Sequence, residues 1–122
     1  MTAPRSFRVL VVEDDAALGE LFVQVLRERG HVVELTGDVE SAKVLLVGGL
    51  FDAVVADLRL PGASGFDLIA WMGRHGLKAR IVVASAFTTS DVAAQARRLG
   101  AAEVLSKPVE PAELVSAIEA AA

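Results

Sequence analysis

The chain has 122 residues, the length of a single domain that can bury a hydrophobic core. Hydrophobic residues make up 53% and charged residues 23%, a balance typical of a folded chain and not of a disordered one. The net charge is −4 and the basic residues form no continuous stripe, so composition predicts no nucleic-acid surface, and the absence of cysteine excludes a disulfide framework and thiol chemistry.

No segment of the sequence predicts a membrane or export function. The longest apolar run, residues 44–51, is much shorter than the roughly 18 residues that a membrane span needs. Residues 1–6 lack the apolar stretch of a signal peptide. We therefore expect a cytoplasmic protein without membrane contact, with residues 1–6 as a flexible N-terminus and residues 7–122 as one domain.

Segments with strand character alternate five times with segments of helical period. The predicted strands are residues 7–12, 32–35, 53–57, 81–84 and 103–105. Apart from Arg8 and the terminal Asp57, the first, third and fourth are continuously apolar, which is typical of parallel strands covered by helices on both faces.

The predicted helices are bounded by residues that start or stop helices. The first predicted helix lies between an Asp15 cap and Gly30, and the second covers residues 38–47 before two glycines. The third follows Gly65 and ends near Gly76. The fourth runs from a Ser90 cap to Gly100, and the fifth has Pro111 in its first turn. Five such strand–helix units predict an α/β fold with a doubly wound parallel sheet.

Polar residues follow four of the predicted strands. Glu13 and Asp14 follow the first strand, Asp57 ends the third, Ser85 follows the fourth, and Lys107 comes shortly after the fifth. Because the carboxyl ends of parallel strands share one edge of the sheet, we expect these side chains to converge there.

The residue types at this edge indicate a specific chemistry. Three crowded carboxylates repel one another unless a cation intervenes, and carboxylate oxygens suit Mg²⁺. Lys107 adds a positive charge that can bind a carboxylate or a phosphoryl oxygen, and Ser85 adds a hydroxyl donor. A carboxylate nucleophile, Mg²⁺, a lysine and a hydroxyl together are what the formation of an aspartyl phosphate requires.

The same residues carry a family resemblance. The segments Val-Val-Glu-Asp at 11–14, Val-Ala-Asp-Leu-Arg-Leu-Pro-Gly-Ala-Ser-Gly at 55–65, Ser-Ala at 85–86 and Lys-Pro at 107–108 resemble the receiver domain of two-component response regulators. The likeness covers essentially the whole chain, and 43, 28 and 22 positions separate Asp14, Asp57, Ser85 and Lys107 in turn. It implies a flavodoxin-like sheet with strand order 2-1-3-4-5.

The resemblance also implies a role for each site residue. Asp57 would accept the phosphoryl group; Asp14 and Asp57 would bind Mg²⁺ directly, with Glu13 acting through water and the Arg59 carbonyl completing the shell. Lys107 would pair with Asp57 or its phosphate. Ser85 would move to bind the phosphoryl group.

The implied partners are a sensor histidine kinase or phosphotransfer protein and a downstream protein target. The target, or a second copy, would bind the face formed by the fourth helix, fifth strand and fifth helix. The resemblance implies a switch that assists its own phosphorylation and dephosphorylation but is not a free-standing metabolic enzyme.

Position 104 departs from the family pattern. The family usually has an aromatic residue three positions before the lysine, and Val104 has no ring to rotate. We hypothesise that Phe87 moves in its place. We also predict that Arg59 and Phe87, as bulky neighbours of the site, slow self-dephosphorylation.

Two other interpretations stay open on sequence. One is a protein-interaction module of the same fold that does not phosphorylate. The other is a hydrolase with an aspartyl nucleophile, although Arg59 stands where such enzymes carry a second acid. His31 and His75 flank predicted helix ends, and we expect both to be solvated and without a role in metal binding or phosphate relay.

Overall fold

The computed structural model describes residues 6–120. Its elements in chain order are β1 Arg8–Val12, α1 Ala16–Glu28, β2 Val32–Thr36, α2 Val39–Gly48, β3 Ala53–Ala56, α3 Gly65–Arg74, β4 Arg80–Ser85, α4 Ser90–Leu99, β5 Glu103–Ser106 and α5 Pro111–Glu119. The predicted flexible segment 1–6 lies outside the described residues except for Ser6, whose hydroxyl donates to the Gly30 carbonyl at 2.8 Å.

The five strands form one parallel sheet in the order β2-β1-β3-β4-β5. This confirms the predicted doubly wound architecture and the predicted strand order. The order places the carboxyl ends of β1, β3 and β4 side by side, with β5 at one margin of the sheet. None of the helices within residues 6–120 has the length and apolar composition to cross a membrane.

Two apolar cores lie on the two faces of the sheet. Successive side chains of a strand point to opposite faces, so Val9 and Val11 join one core while Leu10 and Val12 join the other. The first core contains the buried faces of α1 and α5, and the second contains those of α2, α3 and α4. Burial on both faces explains why the central strands are continuously apolar.

The helix boundaries follow local capping chemistry. Asp15 accepts the Leu18 N–H at 3.1 Å, and Gly30 has φ 90°, as predicted for the two ends of α1. The predicted Ser90 cap of α4 is wrong by one residue, because the Thr89 hydroxyl accepts the Val92 N–H at 3.3 Å and Ser90 is already helical. When two hydroxyl residues follow one another, the sequence alone does not show which of them caps the helix.

The third strand ends one residue earlier than predicted. β3 stops at Ala56, and Asp57 begins the following loop. The Asp57 N–H still donates to the Val12 carbonyl at 3.1 Å, which continues the β1–β3 pairing. The backbone of Asp57 is therefore held by the sheet while its side chain stands at the edge.

The expectation that His31 is solvated is wrong. The residue is 4% exposed; its Nδ1 accepts the Phe7 N–H at 3.1 Å, and its Nε2 lies 3.1 Å from Glu119 Oε2. Glu119 is 88 positions away, at the end of α5. Only the packing of α5 against α1 could reveal that this histidine is covered. His75, at the end of α3, is exposed as predicted.

Candidate functional site

The acidic residues after β1 and β3 meet a lysine after β5. The Lys107 ammonium lies 2.6 Å from Glu13 Oε1 and 2.8 Å from Asp57 Oδ2. These residues are separated by 94 and 50 positions along the chain, and the parallel sheet brings them to one edge. The structure thus places a bridging cation between two nearly buried carboxylates, which are 4% and 8% exposed as residues.

A third carboxylate completes the acidic cluster. Single oxygen atoms of Glu13, Asp14 and Asp57 all lie within 4.8 Å of one another. Asp14 is the exposed member, so the cluster opens to solvent on its side. Hard carboxylate oxygens in this number, with room for water, fit the coordination that Mg²⁺ prefers. The residues present could therefore hold this ion.

The charges at this edge do not balance. Three carboxylates face one ammonium, which leaves a formal charge of −2. The backbone offsets part of it: the Asp15 N–H donates to Glu13 Oε2 and the Arg59 N–H donates to Asp57 Oδ1, both at 3.2 Å. A residual anionic charge in a half-enclosed site favours a divalent cation.

The pKa values of two site groups reflect this arrangement. Burial raises the pKa of the Glu13 carboxyl, and the hydrogen bonds from Lys107 and the Asp15 N–H only partly oppose that effect. Burial by itself would lower the pKa of the Lys107 ammonium, but its hydrogen bonds to Asp57 and Glu13 raise it above the ordinary value. Lys107 is therefore charged at neutral pH and acts as the resident counterion.

Gly65 sets the shape of the loop between β3 and α3. A Cβ atom at this position would lie 2.2 Å from the Asp57 carbonyl oxygen, well inside contact distance. The Gly65 N–H donates to the Leu58 carbonyl at 2.9 Å, so helix and loop are in direct backbone contact. The sequence predicts Gly65 only as the residue before the third helix, whereas it is the first residue of α3 and has to be glycine because of this close approach.

Ser85 ends β4 at the same edge and is completely buried. Its Oγ accepts the N–H of Phe87 at 3.2 Å, which leaves the hydroxyl hydrogen available to another acceptor. The ring of Phe87 in turn lies under the guanidinium of Arg59, with 3.5 Å between Cζ and the ring centroid. The loops after β3 and β4 are thus joined by a side-chain contact.

The end of β5 carries two further features. Val104 is partly buried and packs against the core on the α2–α3–α4 face. The hydroxyls of Ser106 and Thr88 are hydrogen-bonded to each other, which ties the β5 end to the loop after β4. Sequence reasoning missed this pair because isolated hydroxyl residues 18 positions apart give no local signal.

Comparisons with known proteins agree with this geometry. A family model described as the response regulator receiver domain matches residues 9–119. NtrC of Azospirillum brasilense, a DNA-binding transcriptional regulator, is 35% identical over 113 residues, which are 93% of this chain and 24% of that protein. FixJ of Azorhizobium caulinodans, a transcriptional regulatory protein, is 32% identical over 119 residues, which are 96% of this chain and 56% of that protein.

Solved structures show the same likeness. The non-phosphorylated receiver domain of HemR from Leptospira biflexa has a TM-score of 0.87 and 32% identity, and the match covers 95% of this chain and 94% of that one. The chain spans between about a quarter and about half of the length of the curated relatives named above. The chain therefore belongs to the family of response regulator receiver domains, the phosphorylation-controlled switches of two-component signalling.

Proposed function

We propose that Asp57 is the residue that accepts the phosphoryl group, from a sensor histidine kinase or a phosphotransfer protein. The observation that carries this proposal is the Lys107 bridge to Asp57 and Glu13 inside a cluster of three carboxylates. An aspartate that only capped a turn would not need a partly buried lysine partner.

The chemistry follows from the positions of these groups. A carboxylate oxygen of Asp57 attacks the phosphorus of a phosphohistidine in line, an oxygen–phosphorus bond forms, and the phosphorus–nitrogen bond breaks. The electron pair stays on the imidazole nitrogen, which takes up a proton. Lys107, already bound to Asp57 Oδ2, is placed to neutralise charge on a phosphoryl oxygen, and the Arg59 N–H holds Oδ1.

Glu13, Asp14, Asp57 and the Arg59 carbonyl are the groups that we propose hold Mg²⁺. When bound, the ion would neutralise charge on the carboxylates and on the transferred group. The carboxylate cluster supports the first three of these ligands.

Ser85 is proposed as the second phosphoryl-binding group. Its hydroxyl accepts from Phe87 and keeps its own hydrogen for a phosphoryl oxygen. A shift of Ser85 toward the phosphate would draw the loop after β4 with it. That loop leads into α4, so we propose that the face formed by α4, β5 and α5 changes and binds a protein target or a second copy.

We place this switch in the cytoplasm, without direct contact to nucleic acid or membrane. The net charge of −4 supports a protein target over nucleic acid.

The test is incubation with acetyl phosphate and Mg²⁺, followed by intact-mass measurement. We expect one phosphoryl adduct that is lost in Asp57→Asn and in the presence of EDTA. Asp91→Asn is the matched control, because Asp91 is an exposed aspartate in the first turn of α4. An adduct that persists in Asp57→Asn would overturn the assignment, and no adduct on the unaltered protein would favour a non-phosphorylating module.

Arg59 and Phe87 are proposed to slow loss of the phosphate. Arg59 is exposed and Phe87 is 46% exposed, and each lies two residues after a site residue, Asp57 or Ser85. We expect Arg59→Ala and Phe87→Ala each to shorten the lifetime of the adduct in the same mass assay. Unchanged lifetimes in both variants would contradict this role.

A further inference from the structure

Arg59 and Phe87 form a direct link between the two loops that border the site. The guanidinium carbon lies 3.5 Å from the centroid of the ring, which is a close cation–π contact. Both side chains reach solvent, so the contact is not imposed by core packing. It is a pairing of one cation with one aromatic ring.

Each partner of this pair also holds a site group through its backbone. The Arg59 N–H donates to Asp57 Oδ1, and the Phe87 N–H donates to Ser85 Oγ. The contacts therefore run in a continuous chain from Asp57 through Arg59 and Phe87 to Ser85. A change at the carboxylate of Asp57 reaches both residues at once.

A phosphoryl group on Asp57 would offer Arg59 a stronger partner than the ring. Phosphorylation adds about −1.5 to −2 charges and strong acceptor oxygens two residues before Arg59. Arginine binds phosphoryl oxygens through charge-assisted, often bidentate hydrogen bonds, whereas a cation–π contact at an exposed site is weak. The stronger of the two partners decides where the guanidinium lies.

We propose that phosphorylation of Asp57 moves the guanidinium of Arg59 from the Phe87 ring to the phosphoryl oxygens, and that Phe87 is the side chain released. This inference rests on the proposed function of Asp57. It makes Arg59 a phosphoryl-binding residue and Phe87 the aromatic reporter of the switch.

Position 104 has no aromatic side chain that could report phosphorylation, so we assign this role to Phe87. Val104, on β5, has no ring and packs against the core. Phe87 follows Ser85 by two positions and lies just before α4, whose N-cap is Thr89. Release of its ring would change the apolar surface beside the start of that helix.

The test uses 4-fluorophenylalanine in place of all five phenylalanines and fluorine NMR of the complete chain. The Phe87 resonance is assigned with Phe87→Leu. We expect it to shift when acetyl phosphate and Mg²⁺ produce the adduct. In Arg59→Ala, we expect it to lie close to the phosphorylated position before any phosphate is added, and to move little afterwards.

The control is a second cation–π pair at the opposite edge of the sheet. Arg8 lies 4.7 Å from the ring centroid of Phe51, which should keep its resonance on phosphorylation. Unchanged resonances of the other phenylalanines in Arg59→Ala show that this variant is folded.

The outcomes separate this inference from the function on which it rests. Absence of the adduct in intact mass is a failure of the proposed phosphorylation. An adduct with an unmoved Phe87 resonance, or an Arg59→Ala protein whose Phe87 responds as in the unaltered chain, overturns the exchange of Arg59 between ring and phosphate.

Discussion

The two edges of the sheet each carry a network of ionisable side chains, and the networks differ in charge balance. At the carboxyl edge, Glu13, Asp14 and Asp57 share Lys107, which leaves a formal charge of −2. At the amino edge, Arg29 binds Glu119 through two hydrogen bonds of 2.7 and 2.9 Å, so one positive charge balances one negative charge.

The third member of the amino-edge network is the buried His31. Its Nδ1 accepts the Phe7 N–H, so the hydrogen of the neutral ring is on Nε2 and is donated to Glu119. Every polar atom of this imidazole has a partner within the protein. A network that is balanced and satisfied stabilises the ends of α1 and α5, whereas the unbalanced one retains affinity for a ligand outside the chain.

The largest effect should come from removing the shared cation at the carboxyl edge. Lys107→Met leaves two nearly buried carboxylates without a counterion, and we expect a loss of about 3 kcal/mol in the free energy of unfolding at neutral pH. Urea denaturation measures it, and added Mg²⁺ should reduce the deficit. The control is Lys78→Met, an exposed lysine near the start of β4. Equal effects of the two substitutions would contradict the role of Lys107 as counterion.

The amino edge should respond less strongly, and Mg²⁺ should not change its response. Glu119→Ala leaves the buried His31 N–H without its acceptor, and we expect a loss of about 1–2 kcal/mol by urea denaturation. Glu20→Ala, on an exposed position of α1, is the matched control. A deficit that Mg²⁺ restores would show that the two networks are not independent.

The two glutamates should give opposite dependences on pH. The Arg29 guanidinium lowers the pKa of Glu119, so its stabilising contribution is present above the ordinary glutamate value of 4.5 and is lost as the pH falls through the lowered pKa. Burial raises the pKa of Glu13, so its charged form opposes folding above that raised pKa, and the opposition disappears as the pH falls toward 4.5.

Comparison of each variant with the unaltered protein at several pH values tests this difference. Without Mg²⁺, we expect Glu13→Gln to be more stable than the unaltered protein at pH 7, with the advantage shrinking as the pH falls toward 4.5. Glu119→Ala should instead keep its deficit over that range, and the deficit should decrease only at lower pH, where the protonated Glu119 of the unaltered protein no longer forms the ion pair with Arg29. The same trend in both variants would refute the contrast.

The smallest effect should come from the exposed carboxylate of the cluster. Asp14→Asn removes one like charge from the carboxyl edge, and we expect a gain of about 0.5 kcal/mol in unfolding free energy without Mg²⁺. The stabilisation that Mg²⁺ gives to the unaltered protein should decrease in this variant. A destabilised Asp14→Asn protein would show that Asp14 supports the fold and does not repel its neighbours.

Most of the fold was accessible from the sequence because its signals are local. Apolar runs mark the central strands, and Asp15, Gly30 and Pro111 mark helix ends within one turn of their effect. The errors at Ser90 and Asp57 are single-residue shifts of a boundary. The convergence of Glu13, Asp57 and Lys107 also followed from sequence, because parallel strands place their carboxyl ends at one edge.

The sequence by itself determined the alternation of strands and helices, the order of the site residues and their common edge, because each depends on local pattern or on the geometry of a parallel sheet. Tertiary structure alone decided that His31 is buried against Glu119, that Lys107 bridges two carboxylates, and that Arg59 lies on Phe87. These contacts join side chains 28 to 94 positions apart, and their distances depend on how helices and loops pack, which no local periodicity encodes.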